Sequence, residues 1–285
     1  MQKVTHSEYI AQKKPLAKQL LAKLNEKYQY ASVLITDNYE KGYRASRSGV
    51  AISATNAFGG KGMIVKVYDG KGYAEYSTNE ITAENLPEIE REIEQQLMNP
   101  ANFIPEGTEE AEYKCISDEP CTLCEATDYE IHPREVGDEK LIETVTALRE
   151  KAVKADERIL DAITGFNYQE YHKLFLSANR ELEQSVLYST GIMALVAAKG
   201  EEIKQSFRGF SNLGGAELLD KMESAIPQCV KTVTDLLNAE PMEPGTYECV
   251  CTPEVTGMIV HEAFGHGVEM DMFVKDRALA QTYVG

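Results

Sequence analysis

Two histidines and a glutamate stand close together near residue 260. His261, Glu262 and His266 interrupt a mostly apolar run that begins at Met258. Imidazole nitrogens are standard zinc ligands, and a carboxylate beside the metal can help to activate water. These residue types therefore indicate a metal site suited to hydrolysis, provided that the backbone brings the three side chains together.

The spacing of the two histidines is unusual. Residues four apart on a regular α-helix are separated by about 40° around the axis, whereas residues five apart are separated by about 140°. His261 and His266 are five apart. A π-turn would place both on one face, and Gly265 is a suitable point for such a distortion. We therefore predict a π-bulge or bend between them; the alternative is a helix end whose histidines form only local hydrogen bonds.

Apolar residues at helical spacing predict four amphipathic helices before this motif. Their expected bounds are 15–28, 83–98, 138–156 and 219–237. Pro15 is expected in the first turn of the first helix, and Pro227 is expected to kink or restart the last one. A further helix is expected to begin at Pro253 and to carry the motif.

Strand-like runs alternate with these helices. Their expected bounds are 30–36, 43–54, 62–68, most of 159–208, and a short strand at 246–251. Turns are expected at Gly59-Gly60 and Asp69-Gly70, and a glycine-containing loop at 209–215. The pattern predicts an α+β fold with layered antiparallel or mixed sheets and amphipathic helices, followed by the beginning of a second domain.

A cluster of helix and strand breakers predicts a domain boundary at Glu240–Gly245. The expected N-terminal α/β domain covers 1–239. It includes an acidic, proline-containing stretch, 99–135, that we interpret as a long surface connection. The second domain is expected to begin at 240 and to carry the motif helix within 240–285.

The overall charge argues against one class of partner. The chain has 29 Lys and Arg against 46 Asp and Glu, which gives a net charge of −17. Nucleic acid binding needs clustered cations, and no basic stripe is present. The sequence also predicts no membrane span and no signal peptide, because Lys18 and Lys23 interrupt its first apolar stretch. We expect a cytoplasmic protein with reduced thiols.

The remaining cysteines and histidines are weaker candidates. Cys121 and Cys124 form a C-x-x-C pair with Cys115 nearby, and we interpret all three as incidental surface thiols rather than a redox or zinc site. Cys249 and Cys251 are expected to be packed core thiols. The other three histidines are isolated in the sequence: His6, His132 and His172. We expect His172 to pack across strands.

The segment from about Tyr247 to Asp271 resembles a known family. His261-Glu262-Ala263-Phe264-Gly265-His266 is similar to the H-E-x-x-x-H signature of the TldD/PmbA family, in its TldD-type subunit. The preceding Tyr247–Glu254 resembles the strand and turn before that helix, and Gly62–Asn79 resembles a glycine-punctuated N-terminal hairpin. Glu269 and Asp271 stand where the family has an acidic pair, although Met270 replaces a usually small residue between them.

The resemblance implies a zinc-dependent metallopeptidase that acts on peptides or unfolded segments. By the same resemblance, His261 and His266 would bind zinc, and Glu262 would be the general base. The resemblance also implies a homo- or hetero-oligomer with a TldD/PmbA-type subunit; in the family's two-subunit particle the PmbA-type (TldE) partner lacks the motif.

The family's third ligand is a cysteine in a long C-terminal domain, so we expect it beyond Gly285. The chain is then an N-terminal portion with an incomplete site, weak or inactive alone. Within the chain, the residues that could replace this third ligand are Cys249, Cys251, Glu269 and Asp271. Two alternatives stay open: a non-catalytic subunit that binds peptides or a partner, and a metal- or redox-responsive protein that uses Cys115, Cys121 and Cys124.

Overall fold

The computed structural model describes residues 1–54, 60–98, 114–274 and 277–283. These residues form two compact units, which we call unit 1 (Met1–Ala239) and unit 2 (Glu240–Gly285). Unit 1 contains strands and helices in alternation, whereas the described part of unit 2 contains only short helical segments. In the described part of the chain, no helix has both the length and the apolar character needed to cross a membrane.

One large sheet dominates unit 1. Its strands are β2 (Tyr30–Ser46), β3 (Gly49–Ala54), β4 (Lys61–Tyr68), β5 (Tyr73–Thr78), β6 (Cys121–Ala126), β8 (Ile159–Ser177), β9 (Arg180–Lys199) and β10 (Glu202–Leu213). The main order is β10-β9-β8-β2-β4-β5, with every pair antiparallel. β3 pairs with the far end of β2, and β6 runs parallel to the start of β9. A separate two-stranded pair joins β1 (Gln2–Lys3) to β7 (Asp128–Tyr129).

Helices cover the sheet in two places. They are α1 (Glu8–Lys27), α2 (Leu86–Met98), α3 (Pro133–Val136), α4 (Asp138–Lys154), α5 (Leu218–Ser224) and α6 (Ile226–Leu236). α1 and α2 pack on β4 and the adjoining parts of β2 and β8, where Leu20, Ile93 and Val65 are fully buried. α4, α5 and α6 pack with β8 and β9 around a second core. Each large aliphatic side chain so buried contributes about 1.5–3 kcal/mol of transfer free energy. The α+β fold class is confirmed.

The first helix begins earlier than predicted. Glu8 is its first residue, and the Ser7 hydroxyl caps it by accepting a hydrogen bond from the Ile10 backbone N–H at 3.1 Å. Pro15 therefore lies inside the helix rather than in its first turn. Ile10 extends the buried stripe about two turns back from Ala17. The burial of Ile10 and the serine cap stabilise the helical turns before Pro15, which a proline inside a helix disfavours.

The predicted acidic connection is wrong over its described part. Residues 99–113 lie outside the described residues, but 114–135 contain β6, β7 and the start of α3. β6 is exposed along nearly its whole length. It therefore lacks the alternation of apolar and polar residues that marks a half-buried strand, and its order comes from pairing with β9.

Two other strands differ from the prediction. The expected loop at 209–215 is largely strand, because β10 stays paired with β9 as far as Leu213 opposite Tyr188. β5 was not among the expected strand-like runs, but with β4 it forms the hairpin that the family resemblance implied at Gly62–Asn79. The expected turn between the two strands is present: Gly70 has φ +101°, a conformation that glycine adopts without strain. Of the other expected turn, Gly59 lies outside the described residues. The last helix breaks at Ala225, one residue before the helix that contains Pro227, as expected.

Unit 2 begins with an irregular stretch and continues as helical turns. Residues 246–251 form no strand, and no partner strand for them exists among the described residues, so the predicted short strand is wrong. The helix predicted from Pro253 is present as α7 (Pro253–Val260). A π-turn (His261–Gly265), a 3₁₀ turn (His266–Val268), α8 (Met270–Val274) and a second 3₁₀ turn (Leu279–Tyr283) follow it.

Candidate metal centre

The predicted distortion of the motif helix is present. α7 passes into one π-turn, and the His266 backbone N–H donates to the His261 carbonyl five residues earlier. A regular α-helix would make this bond four residues back. The wider turn absorbs the extra residue between the histidines, so that both side chains emerge on one side. The π-bulge inferred from the spacing is confirmed.

The π-turn brings His261, Glu262 and His266 together. One potential ligand atom from each lies within 4.8 Å of the other two. The imidazole centroids of the two histidines are 4.4 Å apart, and their planes are inclined by 68°. Glu262 Oε2 lies 3.9 Å from His266 Nε2. All three residues are exposed, so an ion and a substrate can reach them.

This donor set fits a zinc ion. Zinc binds imidazole nitrogen at about 2 Å, so two ligands of one ion must come within about 4 Å of each other. The potential ligand atoms of the group, which lie within 4.8 Å of one another, come close to that requirement. In the part of the chain that the structure describes, no other group of three His, Cys, Asp or Glu side chains converges this closely.

Glu269 fixes the orientation of His266. Its carboxylate oxygen Oε1 is 2.8 Å from His266 Nδ1 and can only accept, so Nδ1–H is the donor. The proton is then on Nδ1, and the lone pair of Nε2 is free for a metal. Such a carboxylate–imidazole contact is the usual outer support of a histidine ligand. The sequence placed Glu269 in an acidic pair without assigning it this contact.

The structure separates the remaining candidates from the centre. Cys249 and Cys251 are exposed free thiols on the irregular stretch, so their predicted burial in a core is wrong. Neither belongs to the converging group, and neither do Glu269 and Asp271.

The C-x-x-C pair lies on a strand rather than in a loop. Cys121 and Cys124 are both exposed on β6. Residues three apart on a strand face opposite sides and are separated by about 10 Å. The two thiols therefore cannot bind one metal or form a disulfide in this conformation. Cys115 is also exposed, in agreement with the interpretation of all three as surface thiols.

Curated relatives of the chain are archaeal proteins named metalloproteases. One from Archaeoglobus fulgidus is 33% identical over 95 residues, which are 33% of this chain and 22% of that protein. Another from Methanocaldococcus jannaschii is 19% identical over 268 residues, which are 93% of this chain and 57% of that protein. The chain thus spans little more than half of the relative that it matches over most of its length. No protein-family model matches the sequence.

Solved structures with the same fold include two proteins of bacterial and archaeal origin. A protein described as a modulator of DNA gyrase from Bacteroides thetaiotaomicron matches 89% of this chain and 56% of its own, with a TM-score of 0.65 and 16% identity. TldE from Thermococcus kodakarensis matches 77% of this chain and 47% of its own, with a TM-score of 0.56 and 12% identity. The fold shared with these structures and the sequence likeness to archaeal metalloproteases both fit a TldD/PmbA-type protein.

Proposed function

We propose that this chain carries the zinc-binding helix of a TldD-type metallopeptidase that cleaves peptides or unfolded segments. The observation that supports this most is the π-turn, because it converts an unfavourable histidine spacing into a converging His-Glu-His group. The names of the archaeal relatives support protease chemistry.

The residues of the centre divide the chemistry among them. His261 and His266 would hold the zinc, with Glu269 keeping His266 Nε2 available. When bound, zinc supplies a Lewis acid that polarises a carbonyl and makes water more acidic. Glu262 lies beside His266 and carries an exposed carboxylate. It can accept a proton from the attacking water and return it to the departing amine.

Zinc binding by the chain is the first test. Metal-free protein is titrated with zinc by calorimetry, and its metal content is measured after dialysis. We expect His261→Ala and His266→Ala each to weaken zinc binding at least about tenfold, because each removes one ligand. His132→Asn is the matched control, since asparagine can still accept the Arg134 backbone N–H that His132 Nδ1 accepts at 3.2 Å. Zinc binding that survives loss of either motif histidine would refute the proposed site.

Peptidase activity separates the base from the ligands. Cleavage of an unstructured peptide mixture is followed by mass spectrometry with and without zinc. We expect Glu262→Gln to keep zinc and to reduce zinc-dependent cleavage by about 10²–10⁴-fold, the range typical of a lost general base. Zinc-dependent cleavage that survives Glu262→Gln would show that another group moves the proton.

The second candidate, a subunit that binds a partner, has an observation of its own. β10 lies at one end of the sheet and exposes Ile203, Phe207 and Leu213. Alternation along a strand places these three on one face and Phe210, which packs on the second core, on the other. Large apolar side chains exposed together on one face of an edge strand are a feature of many protein interfaces. We propose that a TldD/PmbA-type subunit covers it, in addition to the catalytic role.

A further inference from the structure

The histidines that look isolated in the sequence converge in unit 1. His6 Nδ1 and His172 Nδ1 each lie 2.9 Å from the Ser185 hydroxyl, which is almost fully buried. His172 Nε2 lies 3.7 Å from Glu170 Oε2, and His132 Nε2 lies 3.8 Å from Glu170 Oε1. The interpretation of these histidines as isolated is therefore wrong. His172 does lie in the sheet, but its contacts across the strands are polar.

An exposed thiol ends this chain of contacts. Cys124 Sγ is 3.4 Å from His6 Nε2, within hydrogen-bonding distance for sulfur. The other side of the imidazole faces a carboxylate, because His6 Nδ1 is 3.7 Å from Glu183 Oε1. The Lys14 ammonium donates to Glu183 Oε2 at 3.0 Å and holds that carboxylate in place. Thiol, imidazole and carboxylate thus form a connected series.

Strand pairing fixes the members of this series. The parallel register of β6 with β9 places Cys124 opposite Glu183 and Ala126 opposite Ser185. The N-terminal segment is held beside them by the β1–β7 pair and by the Val4 backbone N–H, which donates to the Thr127 carbonyl at 3.0 Å. Because His6 is two residues beyond Val4, its ring is positioned by backbone hydrogen bonds rather than by a flexible loop.

This arrangement has the parts of an activated cysteine. A thiol becomes nucleophilic when a neighbouring imidazole takes its proton, and a third group that orients the imidazole stabilises the resulting cation. His6 can act as the base, with Glu183 and Ser185 as the orienting groups. A metal is a poorer explanation, since among the described residues no third ligand atom converges with Cys124 and His6.

We propose that Cys124 is a nucleophilic thiol, activated by His6, that undergoes thiol–disulfide exchange with small disulfides of the glutathione type. The Cys124 sulfur attacks one sulfur of the small disulfide, whose S–S bond breaks as a mixed disulfide forms on Cys124. The thiol proton passes through His6 Nε2 to the departing thiolate. The small disulfide is the oxidant: one half of it stays on Cys124 in the mixed disulfide, and the other half leaves as a thiol. Atoms and electrons therefore balance. All residues of this modification site belong to unit 1.

The experiment compares two cysteines on one strand. The protein is treated with iodoacetamide, and in a parallel series with oxidised glutathione, and mass spectrometry with fragmentation measures the rate at each cysteine. Cys121 is the matched control, because it is exposed on the same strand and, among the described residues, is not hydrogen-bonded to a histidine as Cys124 is. We expect Cys124 to react about tenfold faster than Cys121 with both reagents, and His6→Asn to bring the two rates within about twofold.

The outcomes decide the proposal. Equal rates at Cys121 and Cys124 in the protein without substitutions would overturn it. A Cys124 that still reacts about tenfold faster than Cys121 in His6→Asn would also overturn it. The Cys121 rate is also an internal control for folding: if His6→Asn accelerates both cysteines, the N-terminal segment has opened. In that case Glu183→Gln, which leaves His6 in place, is measured instead. An unchanged ratio of the Cys124 and Cys121 rates in that variant would also overturn the proposal.

Discussion

Glu269 is the residue whose role depends most directly on one contact. Its carboxylate holds the His266 ring through Nδ1 at 2.8 Å. Glu269→Gln keeps the size of the side chain but weakens the hydrogen bond, because the acceptor loses its charge. We expect zinc affinity to fall about 10–100-fold, the usual cost of losing such a partner of a histidine ligand. Calorimetric titration of the metal-free protein measures this change.

The control for Glu269 lies on the same side of the motif. Asp271→Asn removes a carboxylate at a similar place in the sequence, although Asp271 does not belong to the converging group. We expect it to change zinc affinity by less than about threefold, well below the effect typical of a lost ligand partner. Equal losses in the two variants would indicate a general effect of negative charge rather than orientation of His266.

Glu170 in unit 1 makes stability depend on pH. Burial raises the pKa of this carboxyl, but the hydrogen bond from His172 and the charges of Arg134 and His132 outweigh it, so the pKa stands below its ordinary value. A lowered pKa in the folded state stabilises the fold above the ordinary glutamate range of about 4.3. That stability is lost as the pH falls through the lowered pKa of the folded protein.

Glu170→Gln removes this contribution. We expect the variant to be about 1–2 kcal/mol less stable than the unmodified protein at pH 7, since a charged hydrogen-bond acceptor is lost. The difference should shrink as the pH falls below about 4, where both folded and unfolded glutamate become protonated. Urea unfolding at several pH values measures it. A difference that stays constant with pH would show that Glu170 acts only through packing.

Residue types and spacing predicted the group of His261, Glu262 and His266, but not the contact of Cys124 with His6. His261, Glu262 and His266 lie within one turn of the chain, so their proximity followed from local geometry. The contact of Glu269 with His266 was also within reach of the sequence, because residues three apart in a helical turn are neighbours. His6 and Cys124 are 118 residues apart. They are brought together by the pairing of β1 with β7 and by the backbone hydrogen bond from Val4 to Thr127, and no local sequence pattern predicts these contacts.

At the scale of elements, the π-turn was predicted correctly, but the role expected for Gly265 in forming it was not. Two histidines five residues apart require a widened turn to face one ion, and that turn is present. Gly265 was expected to permit it through its conformational freedom. Yet Gly265 has φ −55° and ψ −53°, which any residue adopts in a helix. The backbone bond from His266 to His261 therefore defines the turn, and the glycine is not required by its dihedral angles.

Gly265→Ala tests this distinction. A Cβ at this position would lie 3.8 Å from His261 Nδ1, an ordinary contact. We expect the variant to keep its zinc affinity within about twofold and to gain up to about 1 kcal/mol of stability, because alanine favours helical backbone. Gly257→Ala in α7 is the matched control, with open space around its new Cβ. Loss of zinc binding in Gly265→Ala alone would show that the turn needs glycine.

The elements that the sequence missed share a physical cause. Periodicity reports burial on one face, so it predicted α2, α4 and α6 and the covered strands of the sheet. β6 and much of β10 are exposed, and their order comes from hydrogen bonds to β9. The start of α1 was missed because Pro15 was taken to mark the first turn of the helix. The Ser7 cap and the buried Ile10 indicate the earlier start.

At the scale of the molecule, the two hydrophobic cores of unit 1 explain which face of the sheet leaves apolar side chains exposed. α4, α5 and α6 cover β8 and β9 on one face. On the other face of β10, Phe207 is 78% exposed and Ile203 is 63% exposed. Ile192 on β9, opposite Gly209, extends this apolar area. The sequence showed the alternation along 203–207, but not the order of strands that leaves this face open.

Phe207→Glu tests whether this face binds a second copy of the chain. A carboxylate at the centre of an apolar interface must be desolvated, which costs several kcal/mol and disfavours association. Because Phe207 is largely exposed, the same change should alter the free energy of unfolding by only about 0.5 kcal/mol. We expect the unmodified chain to associate in light scattering and sedimentation, and Phe207→Glu to shift it to monomer with little change in Tm. Leu236→Glu on α6, where the side chain is 38% exposed, should leave association unchanged. Association that persists in Phe207→Glu would place the partner surface elsewhere on the protein.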